Sequence, residues 1–156
     1  MIKLMRLDER LIHGQVAFAW TNSLSADCIL IANDSVAADK LRATSLKLAA
    51  PPAVKFVVKT VEGAIEALNS HKTDKYKLFI LVDNTKDALA LVSAVEEVDH
   101  VNLGNMKMKE GARSITNSVA VTDEDVKNIR EMIAKGAEVE CRAVPTDKKV
   151  MAATLI

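Results

Sequence analysis

The chain has 156 residues, of which 49% are hydrophobic, and its 21 basic residues are matched by 21 acidic ones. This length and apolar content suffice for one globular domain with its own core. The lack of a basic excess and the aromatic content of only 3% argue against a nucleic-acid-binding surface, which needs cations for phosphates and rings for stacked bases.

A direct membrane role is not expected either. The first residues already include Lys3 and Arg6, so they lack the apolar run of a signal peptide. No uncharged apolar stretch approaches the roughly 20 residues that span a bilayer, so any membrane role is expected to go through a partner protein. Cys28 and Cys141 lie within apolar runs, which predicts free buried thiols in a reducing cytoplasm.

The first predicted unit is a strand at residues 2–7, followed by a helix over about residues 12–22. Apolar side chains at helical spacing predict the inward face of this helix: Ile12, Val16, Ala19 and Trp20. Residues 28–32 form a continuous apolar run, typical of a strand buried on both faces. Asn33 or Asp34 is suited to cap a second helix, which two prolines end after about residue 49. Its predicted inward residues are Ala37, Leu41, Ser45 and Leu48.

The alternation continues through the middle of the chain. A third strand at residues 54–58 precedes a helix capped by Thr60, with Val61, Ala64, Ile65 and Leu68 inward. Residues 69–75 are polar and predict a loop before a fourth strand at residues 78–82. The next helix begins at Asn84 or Thr85, with Ala88, Leu91, Val92 and Val95 inward. A short fifth strand at residues 101–103 ends in Gly104.

The last third is less regular. Residues 105–117 are polar and without a clear period, and a short strand is predicted at residues 119–121. Thr122 begins a capping box with acidic residues in the first turn of a helix, whose inward residues are Val126, Ile129 and Ile133. After Gly136 come a strand at residues 139–144 and a short helix capped by Thr146. The whole pattern predicts one α/β domain over residues 1–156, with a mostly parallel central sheet and helices on both faces.

The loop after the first predicted strand carries the most reactive groups. In parallel sheets, ligands bind at the carboxyl ends of the strands, where helices begin. There His13 would face unpaired backbone N–H groups and the positive end of a helix dipole, which favour an anion such as phosphate and a neutral imidazole. Arg10 can place several donors on phosphate oxygens, and Gly14 leaves room for a bulky group. Asp8 can either fix the tautomer of His13 or hold Arg10.

These residue types fit two interpretations equally well: a nucleophilic histidine and a solvated turn in which His13 caps a helix. His71, in a polar loop, is interpreted as exposed, and His100, before a strand, as structural. The chain has no recognised zinc-ligand spacing and neither of the two common glycine motifs for nucleotide phosphates, so no metal and no cofactor is expected.

Residues 6–16, R-L-D-E-R-L-I-H-G-Q-V, followed by Trp20, resemble the signature of the mannose/fructose/sorbose family of phosphotransferase-system (PTS) IIB components. Further blocks are similar to that family in the same order: residues 33–39, 46–52, 103–106 with 109–111, and 144–147. One departure is Asn105 after Gly104, in a segment where the family often has a different pattern. How this segment covers the site is therefore left open.

The resemblance implies a protein-N(pi)-phosphohistidine–sugar phosphotransferase. His13 would receive a phosphoryl group from a IIA protein or domain and pass it to a sugar taken up through the membrane IIC and IID components. Arg10 would bind the phosphoryl oxygens, Asp8 would support the loop, and the rest of the phosphate-binding loop would be Leu11, Ile12, Gly14 and Gln15.

The same resemblance implies a cytoplasmic protein, peripherally associated with the membrane transporter, that needs no bound metal. Docking is expected to use a flat, partly apolar surface to which Leu11, Ile12 and Met106 contribute. Two other functions stay open: a regulatory phosphohistidine interaction protein and a non-covalent anion-binding module on the same fold.

Overall fold

A computed structural model describes residues 1–156 and contains nine strands and six α-helices. The strands are β1 (Ile2–Asp8), β2 (Cys28–Ala32), β3 (Lys55–Lys59), β4 (Leu78–Val82), β5 (His100–Asn105), β6 (Arg113–Ser114), β7 (Ala120–Val121), β8 (Glu138–Cys141) and β9 (Val150–Met151). The helices are α1 (Gly14–Leu24), α2 (Asp34–Ala37), α3 (Lys40–Ala49), α4 (Val61–Asn69), α5 (Thr85–Ala94) and α6 (Asp123–Ala134), and a short 3-10 helix (Ala152–Thr154) follows β9.

Seven strands form one sheet in the order β3-β2-β4-β1-β5-β8-β9. All neighbouring strands in it are parallel except β9, which is antiparallel to β8. Strands β6 and β7 form a separate antiparallel pair. The predicted α/β fold with a mostly parallel sheet is therefore confirmed. None of the helices is long and apolar enough to cross a membrane.

The apolar strands divide the core into two layers, because successive side chains of a strand point to opposite faces. In β2, for example, Cys28 and Leu30 pack in the layer of α4, α5 and α6, whereas Ile29 and Ile31 pack in the layer of α1, α2 and α3. Helices therefore cover both faces of the sheet, as predicted. Cys28 and Cys141 are free and buried, and burial raises the pKa of both thiols, that of Cys141 to about 11.

The helix predicted up to residue 49 is in fact two helices. The side chain of Asp39 accepts a hydrogen bond from the backbone N–H of Arg42 and caps α3, so the chain bends between α2 and α3. The predicted inward face was wrong for this reason, since counting helical spacing through a break gives the wrong phase. Leu41 and Leu48 are 79% and 82% exposed, and the residues buried instead are Val36, Leu46 and Ala50.

Two further predictions need correction. Helix α1 begins at Gly14 rather than at residue 12, and its buried residues are Ala17, Trp20 and Thr21, whereas Ala19 is exposed. No helix begins at Thr146. Instead, the carboxylate of Asp147 accepts hydrogen bonds from two backbone N–H groups of the same loop, and the chain returns as β9 beside β8. Hydrogen bonds from a side chain to its own loop give the backbone an alternative to a helix, so this loop replaces the predicted helix.

Candidate active site

The loop between β1 and α1 turns so that His13 stands in solvent. Leu11 and Gly14 have positive φ angles of 60° and 52°, and the Leu11 N–H donates to the carbonyl of Asp8 at 2.9 Å. This turn buries the side chains of Leu11 and Ile12 in the core, at 2% and 5% exposure. It leaves His13 exposed, immediately before the first residue of α1.

The imidazole of His13 makes no hydrogen bond within the chain and does not cap α1 with its side chain. The first turn of α1 carries no acidic residue, so nothing neutralises the positive end of its dipole. The first N–H groups of a helix have no partner inside it and are free for an anion. Gly14 adds open space, since no atom lies within 4 Å of where its Cβ would be.

Asp8 lies at the centre of the charges behind this loop. Its carboxylate is buried and accepts from the backbone N–H of Arg10 at 2.9 Å, from Arg10 Nε at 3.2 Å and from Arg10 Nη2 at 3.3 Å. It also accepts from Nη2 of Arg6 at 3.2 Å. Of the two contacts foreseen for Asp8, the structure contains the one with Arg10 and none with His13. The Arg10 guanidinium is thus fixed in orientation while its Nη1 keeps no partner within the chain.

Arg6 is a site residue that sequence reasoning missed. Its guanidinium is buried, donates to Asn102 Oδ1 at 2.7 Å and to the carbonyl of Arg142 at 3.1 Å, and lies 5.2 Å from the ring centre of Trp20. Burial lowers the pKa of Arg6, and the charge of Asp8 acts against that change. A Cβ at position 104 would overlap the Arg6 guanidinium, so glycine at this position lets the guanidinium keep its place. Gly104, the residue before the unusual Asn105, therefore makes room for Arg6.

The hydrogen bonds continue from Arg6 across β5 to β8. Asn102 donates to Glu140 Oε1 at 3.1 Å, and Arg142 binds both oxygens of Glu140 at 3.0 Å. Burial alone would raise the pKa of Glu140, but hydrogen bonds from His100, Arg142 and Asn102 bring it down to about 2. The signal in the sequence was polar residues inside otherwise apolar strands, and it became interpretable only once the strand order was known.

The segment after β5 fastens onto the His13 loop. The Glu9 N–H donates to the carbonyl of Asn105 at 3.0 Å, and the Glu9 carboxylate accepts from the Lys107 N–H at 3.0 Å. Met106 is buried, as are Leu11 and Ile12, so the expected apolar docking surface built from these three side chains is wrong. Their apolar atoms stabilise the loop from below, and the exposed residues of the loop itself include His13, Gly14 and Gln15.

The other histidines stand apart from this site. His71 is 62% exposed and its Nδ1 lies 3.1 Å from Asp74, in keeping with an exposed loop residue. His100 Nε2 lies 3.0 Å from Glu138 and 3.3 Å from Glu140, which makes it part of the structural network. The chain has no group of three or more His, Cys, Asp and Glu side chains that could hold a metal ion.

Residues 2–156 match the family model of the PTS system sorbose subfamily IIB component. The chain belongs to this family. Its members act as phosphotransferases, and the exposed His13 and the fixed Arg10 both lie in the loop that carries the resemblance.

Individual relatives agree with this membership. The chain is 37% identical over 147 residues to the sorbose-specific EIIB component of Lacticaseibacillus casei, covering 94% of this chain and 90% of that protein. It is 36% identical over 156 residues to the mannose-specific EIIAB component of Escherichia coli K12, and it spans about half (48%) of the length of that relative. The crystal structure of the IIBSor domain of the sorbose permease from Klebsiella pneumoniae superposes with a TM-score of 0.93 at 32% identity, covering 99% of this chain and 94% of that one.

Proposed function

We propose that this IIB component is the phosphocarrier of a phosphoenolpyruvate-dependent sugar PTS, with His13 as the residue that carries the phosphoryl group. The observation that supports this most directly is the exposed, unbonded imidazole of His13 at the N-terminus of α1, in the same loop as an arginine that Asp8 holds in place. A histidine used only as a helix cap would bond to the helix, and this one does not.

The proposed chemistry has two steps. In the first, a ring nitrogen of His13 forms a bond to phosphorus while the nitrogen–phosphorus bond of the donor histidine breaks. In the second, a hydroxyl oxygen of the sugar replaces the His13 nitrogen. Both steps depend on alignment and on stabilising the charge of the equatorial oxygens, because the phosphoryl group is already activated.

The residues around His13 supply that stabilisation. Arg10 has a free Nη1, and the first N–H groups of α1, which begins one residue after His13, provide neutral donors. Asp8 acts as a positioning residue through Arg10, and Gly14 and Gln15 border the space in which the phosphoryl group would sit. Leu11 and Ile12 can contribute only their backbone, since both side chains are buried.

We propose a IIA protein or domain as the donor and membrane IIC and IID components with bound sugar as the acceptor, so that the protein associates peripherally with a transporter. The name of the mannose-specific EIIAB relative joins an A and a B component, which supports a IIA partner. Other relatives are named for sorbose and fructose, which supports a sugar as the final acceptor.

Incubation with phosphoenolpyruvate, the general PTS proteins and a matching IIA tests the proposal. We expect acid-labile phosphate on the wild type and on His71→Ala, the control for an exposed histidine, and none on His13→Ala. Phosphorylation of His13→Ala at the normal rate would overturn the assignment of His13. An anion-binding module would take up no covalent phosphate, and a purely regulatory protein would accept it without passing it to sugar in vesicles that contain IIC and IID.

A further inference from the structure

A cavity lies outside the His13 loop, beyond the carboxyl end of β8. It has a volume of about 380 Å³ and is formed by the turn between β6 and β7 and by the loop between β8 and β9. Its polar lining consists of Thr116, Asn117, Ser118, Arg142, Asp147 and Lys148. We call this cavity the β8 cleft. Its size falls in the range of about 300–1,000 Å³ that is common for small-molecule sites.

Several polar groups of the β8 cleft have no partner within the chain. The hydroxyl of Thr116 accepts from the backbone N–H groups of Ser118 and Val119 and so fixes the turn. The side-chain amide of Asn117 and the hydroxyl of Ser118 make no hydrogen bond. Asp147 uses only Oδ2 to hold its loop, which leaves Oδ1 free. Free amide, hydroxyl and carboxylate oxygens in one cleft match the alternating donors and acceptors of a polyhydroxylated ligand.

The same cleft contains two cations suited to a phosphate. Glu140 holds Arg142 Nε and Nη2 at 3.0 Å each, so the guanidinium has a fixed orientation while its Nη1 keeps no partner. The side chain of Arg142 is 16% exposed and lines the cleft. Lys148 is exposed and forms no ion pair. A fixed guanidinium beside a free ammonium is a favourable arrangement for phosphate oxygens.

The β8 cleft also adjoins the candidate active site. The Arg142 guanidinium lies 5.0 Å from the ring centre of Trp20, and the indole N–H of Trp20 donates to the carbonyl of Ala143, which lines the cleft. On its other side Trp20 borders the crevice beneath His13. The block at residues 144–147 has no contact with the His13 loop that explains it, but it does form part of this cleft. Asp147 shapes the loop between β8 and β9 and also lines the cleft.

We propose that the β8 cleft is a binding site for a phosphorylated sugar, with the phosphate on Arg142 and Lys148 and the hydroxyl groups on Asn117, Ser118 and Asp147. A phosphorylated sugar is the class of product that the proposed function would release, and the choice of ligand rests on that function. The assignment of the cleft rests on its own free polar groups and its two cations.

Isothermal titration of the unphosphorylated protein tests this site with three probes: mannose 6-phosphate, mannose and inorganic phosphate. We expect saturable one-to-one binding of mannose 6-phosphate, at least about tenfold tighter than binding of either fragment, because only the intact ligand engages both halves of the cleft. Lys148→Ala and Asn117→Ala should each weaken it about tenfold. Lys149→Ala is the matched control, since the ammonium of Lys149 lies 3.0 Å from Glu138 and outside the cleft.

Four results would overturn the proposal. The first is equal affinity for inorganic phosphate, which indicates an anion site only. The second is equal weakening by Lys148→Ala and Lys149→Ala, and the third is loss of binding in His13→Ala, which places the ligand at the histidine. The fourth is no saturable binding of mannose 6-phosphate up to about 10 mM, the weak end of specific binding. Because no phosphoryl donor is present, failure here removes the cleft assignment alone. Failure of His13 phosphorylation would remove the proposed function and the reason for choosing this ligand, whereas the titration would still decide whether the cleft binds it.

Discussion

Replacing Gly104 by alanine would put a methyl group into the space of the Arg6 guanidinium. The added Cβ would overlap Cζ, Nη1 and Nη2 of Arg6, so the guanidinium must move. In moving it loses the bonds to Asn102 at 2.7 Å and to Asp8 at 3.2 Å. Breaking a buried ion pair costs about 3–5 kcal/mol and overpacking about 1–3 kcal/mol, and the two effects overlap. We expect Gly104→Ala to lower the free energy of unfolding by about 3 kcal/mol and the Tm by about 10 °C.

Urea denaturation followed by fluorescence measures this change, because Trp20 is the single tryptophan and its ring centre lies 5.2 Å from the guanidinium of Arg6 and 5.0 Å from that of Arg142. Gly63→Ala is the control, since an added Cβ there meets Thr60 Oγ1 at 3.0 Å and Lys59 Cβ at 3.8 Å. Alanine also favours a helix, so the change should stay within about 1 kcal/mol. An Arg6→Met background removes the clash. If Gly104→Ala were as destabilising in that background as in the wild type, the reasoning would be refuted.

Three further predictions concern other parts of the structure. Arg10→Lys should slow phosphoryl acceptance about 100-fold without unfolding the protein, because lysine lacks the planar guanidinium that Asp8 orients. Quenched-flow kinetics measure the rate and circular dichroism checks the fold, and an unchanged rate would remove Arg10 from the mechanism. Hydrogen bonds lower the pKa of Glu140 to about 2, so the contribution of its carboxylate to stability is present above pH 4.5 and is lost as the pH falls towards 2. Urea titrations over that range should show the wild type losing about 2 kcal/mol more free energy of unfolding than Glu140→Gln, and parallel plots of that free energy against pH would contradict this. Leu48→Ser should change the free energy of unfolding by less than about 0.5 kcal/mol, whereas Leu46→Ala should lower it by about 2–3 kcal/mol, and the reverse order in chemical denaturation would restore the face predicted from the sequence.

The elements predicted best were those in which local signals agree. Strands β2 and β4 have the predicted bounds, since each is a continuous apolar run. Helices α4 and α5 begin at the predicted caps, Thr60 and Asn84, and bury the predicted faces. Asp39 was the harder case, because a residue that can cap a helix also occurs within helices, and only the position of α3 on the sheet selects the break.

The candidate site divides in the same way. Asp8 ends β1 and Arg10 lies in the loop that follows, only two residues on, so their contact could be predicted from the sequence alone. Asn102 and Glu140 reach Arg6 from β5 and β8, far along the chain, and their contact depends on those strands being neighbours in the sheet. Strand order is a property of the whole fold, so local patterns did not reveal this network.

The charges of the site gain their meaning from this arrangement. Three guanidiniums, those of Arg6, Arg10 and Arg142, share two buried carboxylates, those of Asp8 and Glu140, so the network keeps an excess of one positive charge. The carboxylates are buried within the sheet, whereas the side chain of Arg10 is 29% exposed and its Nη1 has no partner, so Arg10 brings free positive charge to the loop that carries His13. A phosphoryl group on His13 would bring negative charge to balance this excess positive charge. The strands behind the loop thus determine the electrostatics of the site, and the loop supplies the nucleophile.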